Sequence, residues 1–134
     1  MSKAQDLRQS FKQMMAGDKL IVAPGVYDGL TATLATRTGF DAIYMTGAGT
    51  AAQKGYPDFG LLTMTEMVAN AEVIATASDM PVSADAATGY GNELTVTRPV
   101  PEYERAGVAA IHREDQGCPQ KGGQLEAHEF SPLD

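Results

Sequence analysis

Hydrophobic positions along the chain switch between helical and extended spacing several times. Leu7, Phe11, Met14 and Met15 recur at helical intervals and predict an amphipathic helix over 3–15 that ends near Gly17. Leu20-Ile21-Val22-Ala23 is a short apolar run stopped by Pro24-Gly25, the pattern of a buried strand. Asp28 is placed to cap a helix over 29–38 that buries Leu30 and Leu34 and stops at Gly39. A second strand runs from Asp41 to Thr46 into Gly47-Ala48-Gly49. Thr63-Met64-Thr65-Glu66 has capping-box spacing, and Met64, Met67, Val68, Ala71, Ile74 and Ala75 form one stripe behind it, predicting a helix over 64–78. Strands follow at 81–85 and 109–112. Between them a short helix carrying Tyr103 and Ala106 ends at Gly107, its start limited by Pro99 and Pro101. Apolar strands alternating with helices indicate an α/β protein with a parallel sheet covered by helices.

Composition narrows this picture without redirecting it. The chain has 134 residues, 43% hydrophobic and 20% charged, with 14 Gly and 7 Pro, which suits one globular domain. Residues 1–117 carry the periodic pattern, whereas 118–134 are polar and Gly-rich and read as a loop or tail. No apolar run approaches the ~20 residues of a membrane span, and the N-terminus lacks a signal-peptide pattern. A single cysteine, Cys118, allows no intrachain disulfide, so a reducing cytoplasmic setting is expected. The net charge of −7 disfavours nucleic acid as a partner.

Three segments at the C-terminal ends of the expected strands, where α/β sheets bind ligands, could carry chemistry. Thr46-Gly47-Ala48-Gly49-Thr50-Ala51-Ala52 fits the dinucleotide pattern literally, but Lys54-Gly55-Tyr56-Pro57-Asp58 breaks the helix that pattern needs. Its backbone amides suit a small carboxylate or phosphate; a tight turn without ligand is the competing reading. In Ser83-Ala84-Asp85-Ala86-Ala87, an aspartate closing an apolar strand wants a cation, a hydrogen-bond nest or solvent. Asp85 therefore reads either as a ligand for a hard metal such as Mg²⁺ or as a turn cap. In His112-Arg113-Glu114-Asp115-Gln116 at most one of the two acids faces the same site. A lone His112 is more often packed or superficial than catalytic, His128 carries no signal, and Cys118 has no activating neighbour.

Taken in order, Pro24-Gly25-Val26-Tyr27-Asp28, Gly39-Phe40-Asp41-Ala42, Tyr44-Met45-Thr46-Gly47-Ala48-Gly49 and Gly60-Leu61-Leu62-Thr63 resemble the isocitrate lyase/phosphoenolpyruvate mutase superfamily. So do Thr88-Gly89-Tyr90-Gly91-Asn92, Tyr103-Glu104-Arg105-Ala106-Gly107-Val108-Ala109 and Glu114-Asp115-Gln116. The likeness is greatest to the branch of carboxyvinyl-carboxyphosphonate phosphorylmutase, 2-methylisocitrate lyase and oxaloacetate decarboxylase. It implies the N-terminal half of a (β/α)₈ barrel, with about four parallel strands, since a whole barrel takes ~250 residues. It also implies Mg²⁺ and a small 2-oxo or 2-hydroxy carboxylate substrate such as oxaloacetate, cleaved through an enolate. By position, Tyr44, Thr46, Gly47 and Ala48 would bind substrate, Asp85 and Glu114 would serve the metal, and Asp58 would be catalytic on a covering loop.

Departures from the superfamily pattern set a second expectation. Ala87 replaces an aspartate, Gly122 stands where lyases carry a catalytic thiol, and Gln124 replaces its histidine. Pro99 and Arg113 stand where Thr and an aliphatic residue are usual, and Arg113 would be costly inside a buried strand. A catalytically inactive, truncated member with a structural or interaction role is therefore the alternative. Its partners would be a second copy, or a full-length paralogue, joined at open sheet edges.

Overall fold

The computed structural model describes residues 2–92, 94–117, 120, 122, 129 and 130. Four parallel strands, β1 (Gly25–Val26), β2 (Ile43–Met45), β3 (Val82–Asp85) and β4 (Ala110–His112), lie in the order β1-β2-β3-β4. Tyr44 pairs with Gly25 and Ser83, and Asp85 pairs with His112. Five helices accompany them: α1 (Lys3–Ala16), α2 (Gly29–Thr36), α3 (Gly47–Gln53), α4 (Met64–Ala77) and α5 (Pro99–Arg105). A 3₁₀ turn at Thr95–Thr97 precedes α5. No helix among the described residues is long and apolar enough to cross a membrane.

Pleating divides the sheet into two unlike faces. Ile43, Met45, Val82 and Ala84 are buried in one core with Met67, Ala71 and Ile74 of α4 and Tyr103 of α5. Tyr44, Ser83 and Asp85, on the alternate positions, are half-buried on the other face. The helix α4 is built as its sequence dictates. Thr63 and Glu66 cap each other's backbone amides at 3.3 and 2.8 Å, and the Met67–Ala71–Ile74 stripe faces the strands. The start of α5 at Pro99 also follows expectation, and Gly107 ends the turn at φ +92°.

Other expectations are corrected. The run 20–23 forms no strand; Leu20 and Val22 are exposed, and the strand starts at Gly25. The reason is that β1 lies at the sheet edge, where β2 offers partners only for Gly25 and Val26. Helix α2 keeps its Asp28 cap, with Thr31 N–H donating to Oδ1 at 2.7 Å, but buries Ala32 and Ala35 while Leu30 and Leu34 are exposed. Close packing on α4 explains this. A Cβ at Gly29 would meet Val73 at 3.2 Å, so only small residues fit that face. Gly47-Ala48-Gly49 is neither loop nor open turn but the first turn of α3, capped by Thr46. In α1, Leu7, Phe11 and Met14 are half-buried whereas Met15 is exposed. Lys3 and Arg8 of that helix donate to the carbonyls of Ser78 and Val108, which lead into β3 and β4 at the end opposite the site.

Candidate active site

Asp85 is the last residue of β3 and its carboxylate is held at both oxygens. Gly47 N–H donates to Oδ2 at 3.1 Å and Ala87 N–H to Oδ1 at 2.8 Å. The carboxylate thereby joins the start of α3 to the loop after β3. Gly47 is required for this approach, because a Cβ there would lie 2.9 Å from Asp85 Cγ. Each carboxylate oxygen keeps a lone pair beyond its backbone donor.

Around this centre the structure gathers most of the residues expected from sequence. Tyr44 stands on β2 beside Asp85, and its hydroxyl lies 3.3 Å from His112 Nδ1. Burial, the adjacent Asp85 carboxylate, and the charges of Glu114 and Asp58 push the Tyr44 phenol well above its usual range. The same field, after burial, raises Asp58 above the usual carboxylate value through Asp85. Asp58, Asp85, Gly47 and Ala87 line one small cavity of about 30 Å³, room for roughly one water. It adjoins an open cleft of about 940 Å³ between residues 59–65 and 87–99.

Most of the other expected site residues have contacts of their own. Thr46 spends its hydroxyl on capping α3, accepting from Gly49 N–H at 3.3 Å. Ala48 N–H, on the same turn, has no partner among the described residues. Glu114 does not line the cavity; its Oε2 accepts from the amides of Gln116 and Gln120, and its own N–H donates to the Ala87 carbonyl at 2.9 Å. Arg113 is exposed rather than buried in a strand, donating from Nε to the Thr88 carbonyl at 3.2 Å. Gly122 is buried and its N–H donates to the Asp58 carbonyl at 3.0 Å. Cys118, Gln124, His128 and most of the expected 118–134 tail lie outside the described residues.

Two participants had no sequence signal beyond their place in motifs. Tyr90 and Tyr103 join hydroxyls at 2.7 Å beneath Asp85, and burial pushes the Tyr90 phenol up to about 12 and Tyr103 higher still. The His112–Tyr44 contact reaches across β3, from β4 to β2, and was legible only as two polar residues on strands of the same sheet.

Strand order decides between barrel and dinucleotide fold. A sheet stepping β1-β2-β3-β4 without reversal has no switch-point crevice and matches a barrel arc instead. The sequence profile of the phosphoenolpyruvate phosphomutase family matches residues 11–132. The chain belongs to that family. It is 52% identical over 120 residues to 2,3-dimethylmalate lyase of Eubacterium barkeri, covering 89% of this chain and 42% of the relative. A crystal structure of a 2,3-dimethylmalate lyase, described as a member of the phosphoenolpyruvate mutase/isocitrate lyase superfamily, superposes with a TM-score of 0.85 at 46% identity over 98% of this chain and 44% of its own. Phosphonopyruvate hydrolase, solved with oxalate and Mg²⁺, superposes with a TM-score of 0.77 at 33% identity over 95% of this chain and 44% of its own. The chain thus spans less than half the length of the relatives it matches, and its four strands correspond to the N-terminal portion of the superfamily's barrel.

Proposed function

We propose that this chain carries one arc of the active site of a Mg²⁺-dependent lyase of the superfamily, acting on a C–C bond of a small 2-oxo or 2-hydroxy carboxylate such as oxaloacetate. The observation that supports this most is Asp85, held at the strand rim by two amides within a family whose relatives include lyases. A hard divalent cation takes one or two carboxylates and completes its shell with water and substrate oxygens. Asp85 fits that demand, with lone pairs left on both oxygens and the negative field of Asp58 and Glu114 beside it. Among the described residues no three acidic, histidine or cysteine side chains converge to hold a metal unaided. Ala87 in place of an aspartate is consistent with that single-carboxylate arrangement. Bound at Asp85, the cation would supply Lewis acidity toward substrate oxygens.

The chain's own groups supply the rest. The Ala48 amide donates toward a substrate carboxylate. Tyr44, kept protonated by burial and its acidic neighbours, donates a hydrogen bond where negative charge develops on the enolate oxygen. His112 Nδ1, 3.3 Å away, orients that phenol. Asp58 borders the cavity on the segment between α3 and α4 and is the carboxyl group there with a raised affinity for a proton. No thiol donor stands at Gly122, so proton delivery of the thiol-dependent lyase type is not part of this reading.

Calorimetric titration with Mg²⁺, alone and with oxalate, tests the proposal. Saturable binding that Asp85→Asn removes is expected, and absence of any Mg²⁺ heat in the parent protein overturns it. The second reading, an inactive member that associates with a second copy or a full-length paralogue, is favoured by Ala87 and Gly122. Oxaloacetate turnover, followed by ultraviolet absorbance, separates the two.

A further inference from the structure

We propose that Tyr103 and Tyr90 are positioning residues for Asp85, forming a hydroxyl chain that fixes the end of β3 and the loop behind it. The proposal rests on the reading of Asp85 as the cation-facing carboxylate. Tyr103 is fully buried on α5, at 0% exposure. Its ring alone would fill the core; a hydroxyl there is costly unless it finds a partner. It finds two. It donates to the Asp85 carbonyl at 2.9 Å and meets the Tyr90 hydroxyl at 2.7 Å. A phenol has one proton, and that of Tyr103 goes to Asp85, so Tyr90 is the donor to Tyr103.

Position explains why such a chain is needed. The pairing of β3 with β2 ends at Ala84, so Asp85 lies one residue beyond that ladder. The loop that follows turns through two non-glycine residues with left-handed backbone, Ala87 at φ +50° and Tyr90 at φ +63°. Such conformations cost of order 1–3 kcal/mol each and persist only where neighbours hold them. Tyr90 is the side chain that ties the far end of this loop back to the core, and it also lines both the cavity and the cleft. Main chain and side chain of Asp85 are therefore set by different groups: Tyr103 holds the carbonyl, while Gly47 and Ala87 hold the carboxylate.

The test uses Tyr103→Phe and, should that variant fold poorly, Tyr90→Phe on the half-buried partner. Amide hydrogen exchange by NMR reads Asp85 directly through its two donors. Exchange at Gly47 and Ala87 should quicken about tenfold in either variant, with amides of α1 unchanged. Mg²⁺ calorimetry should show about tenfold weaker binding, in a variant that still melts cooperatively. Unaltered exchange at Gly47 and Ala87 overturns the proposal, as does unaltered Mg²⁺ affinity in a folded variant. If the parent binds no Mg²⁺, the metal reading fails and the exchange rates alone decide the positioning role.

Discussion

Gly47 and Asp85 are locked together across two strand ends, the amide of the first donating to the carboxylate of the second at 3.1 Å. No side chain fits between them. Gly47→Ala should therefore displace the Asp85 carboxylate despite the better helix propensity of alanine in α3. Overpacking of this kind costs about 1–3 kcal/mol. Urea denaturation should show a loss in that range, together with weakened Mg²⁺ binding; an unchanged midpoint would refute the close approach.

Ala87 adopts a backbone conformation that aspartate tolerates better than alanine does, at φ +50°. Ala87→Asp should thus fold without a backbone penalty and place a second carboxylate beside Asp85. Mg²⁺ affinity should rise about tenfold or more by calorimetry, because a hard cation gains a second carboxylate oxygen donor. Equal affinity in the variant would show that position 87 does not face the cation.

Asp58 should make the folded state less stable as pH rises. Burial and the Asp85 charge raise its folded pKa above the unfolded value of 3.8. The folded protein therefore holds the proton more tightly, and the resulting stabilisation is complete below pH 3.8 and is lost as pH climbs through the folded pKa. Asp58→Asn should raise the melting temperature at pH 7, with an advantage that shrinks toward pH 3.5. A difference independent of pH would contradict this environment for Asp58.

Thr63→Ala should remove one half of the capping box that starts α4. A cap of this kind contributes about 1 kcal/mol. Chemical denaturation should register that loss at neutral pH. Glu66, whose pKa is lowered by its bonds to the Thr63 backbone and hydroxyl, adds stability above its unfolded value of 4.5 that disappears as pH falls through the lower folded value. The loss caused by Thr63→Ala should accordingly narrow in acid; a loss that widens there would count against the paired cap.

What the sequence disclosed followed from how local each cause was. The α4 stripe and its cap are set within a few residues, so Thr63, Glu66, Met67 and Ile74 were legible directly. The buried face of α2 depends instead on how near α4 comes at Gly29, and hydrophobicity alone pointed to Leu30 and Leu34 rather than Ala32 and Ala35. Glycine-rich composition hid α3, whose seven residues are fixed by the Thr46 cap and by Asp85 from another strand. Asp85 stood out because a charge at a strand end needs a partner. Tyr103 did not, because its hydroxyl matters only through contacts 13 and 18 residues away.

The unreversed strand order has a consequence for how such a site can change. Each loop at the rim has as its spatial neighbours the loops that precede and follow it in sequence. A change confined to a single contiguous stretch, such as 54–62, would alter one sector of that rim, felt beyond β4 through the Gly122 N–H on the Asp58 carbonyl. Under the proposed function, selectivity would be modular along the gene, and swapping one such stretch between relatives would be expected to change substrate preference.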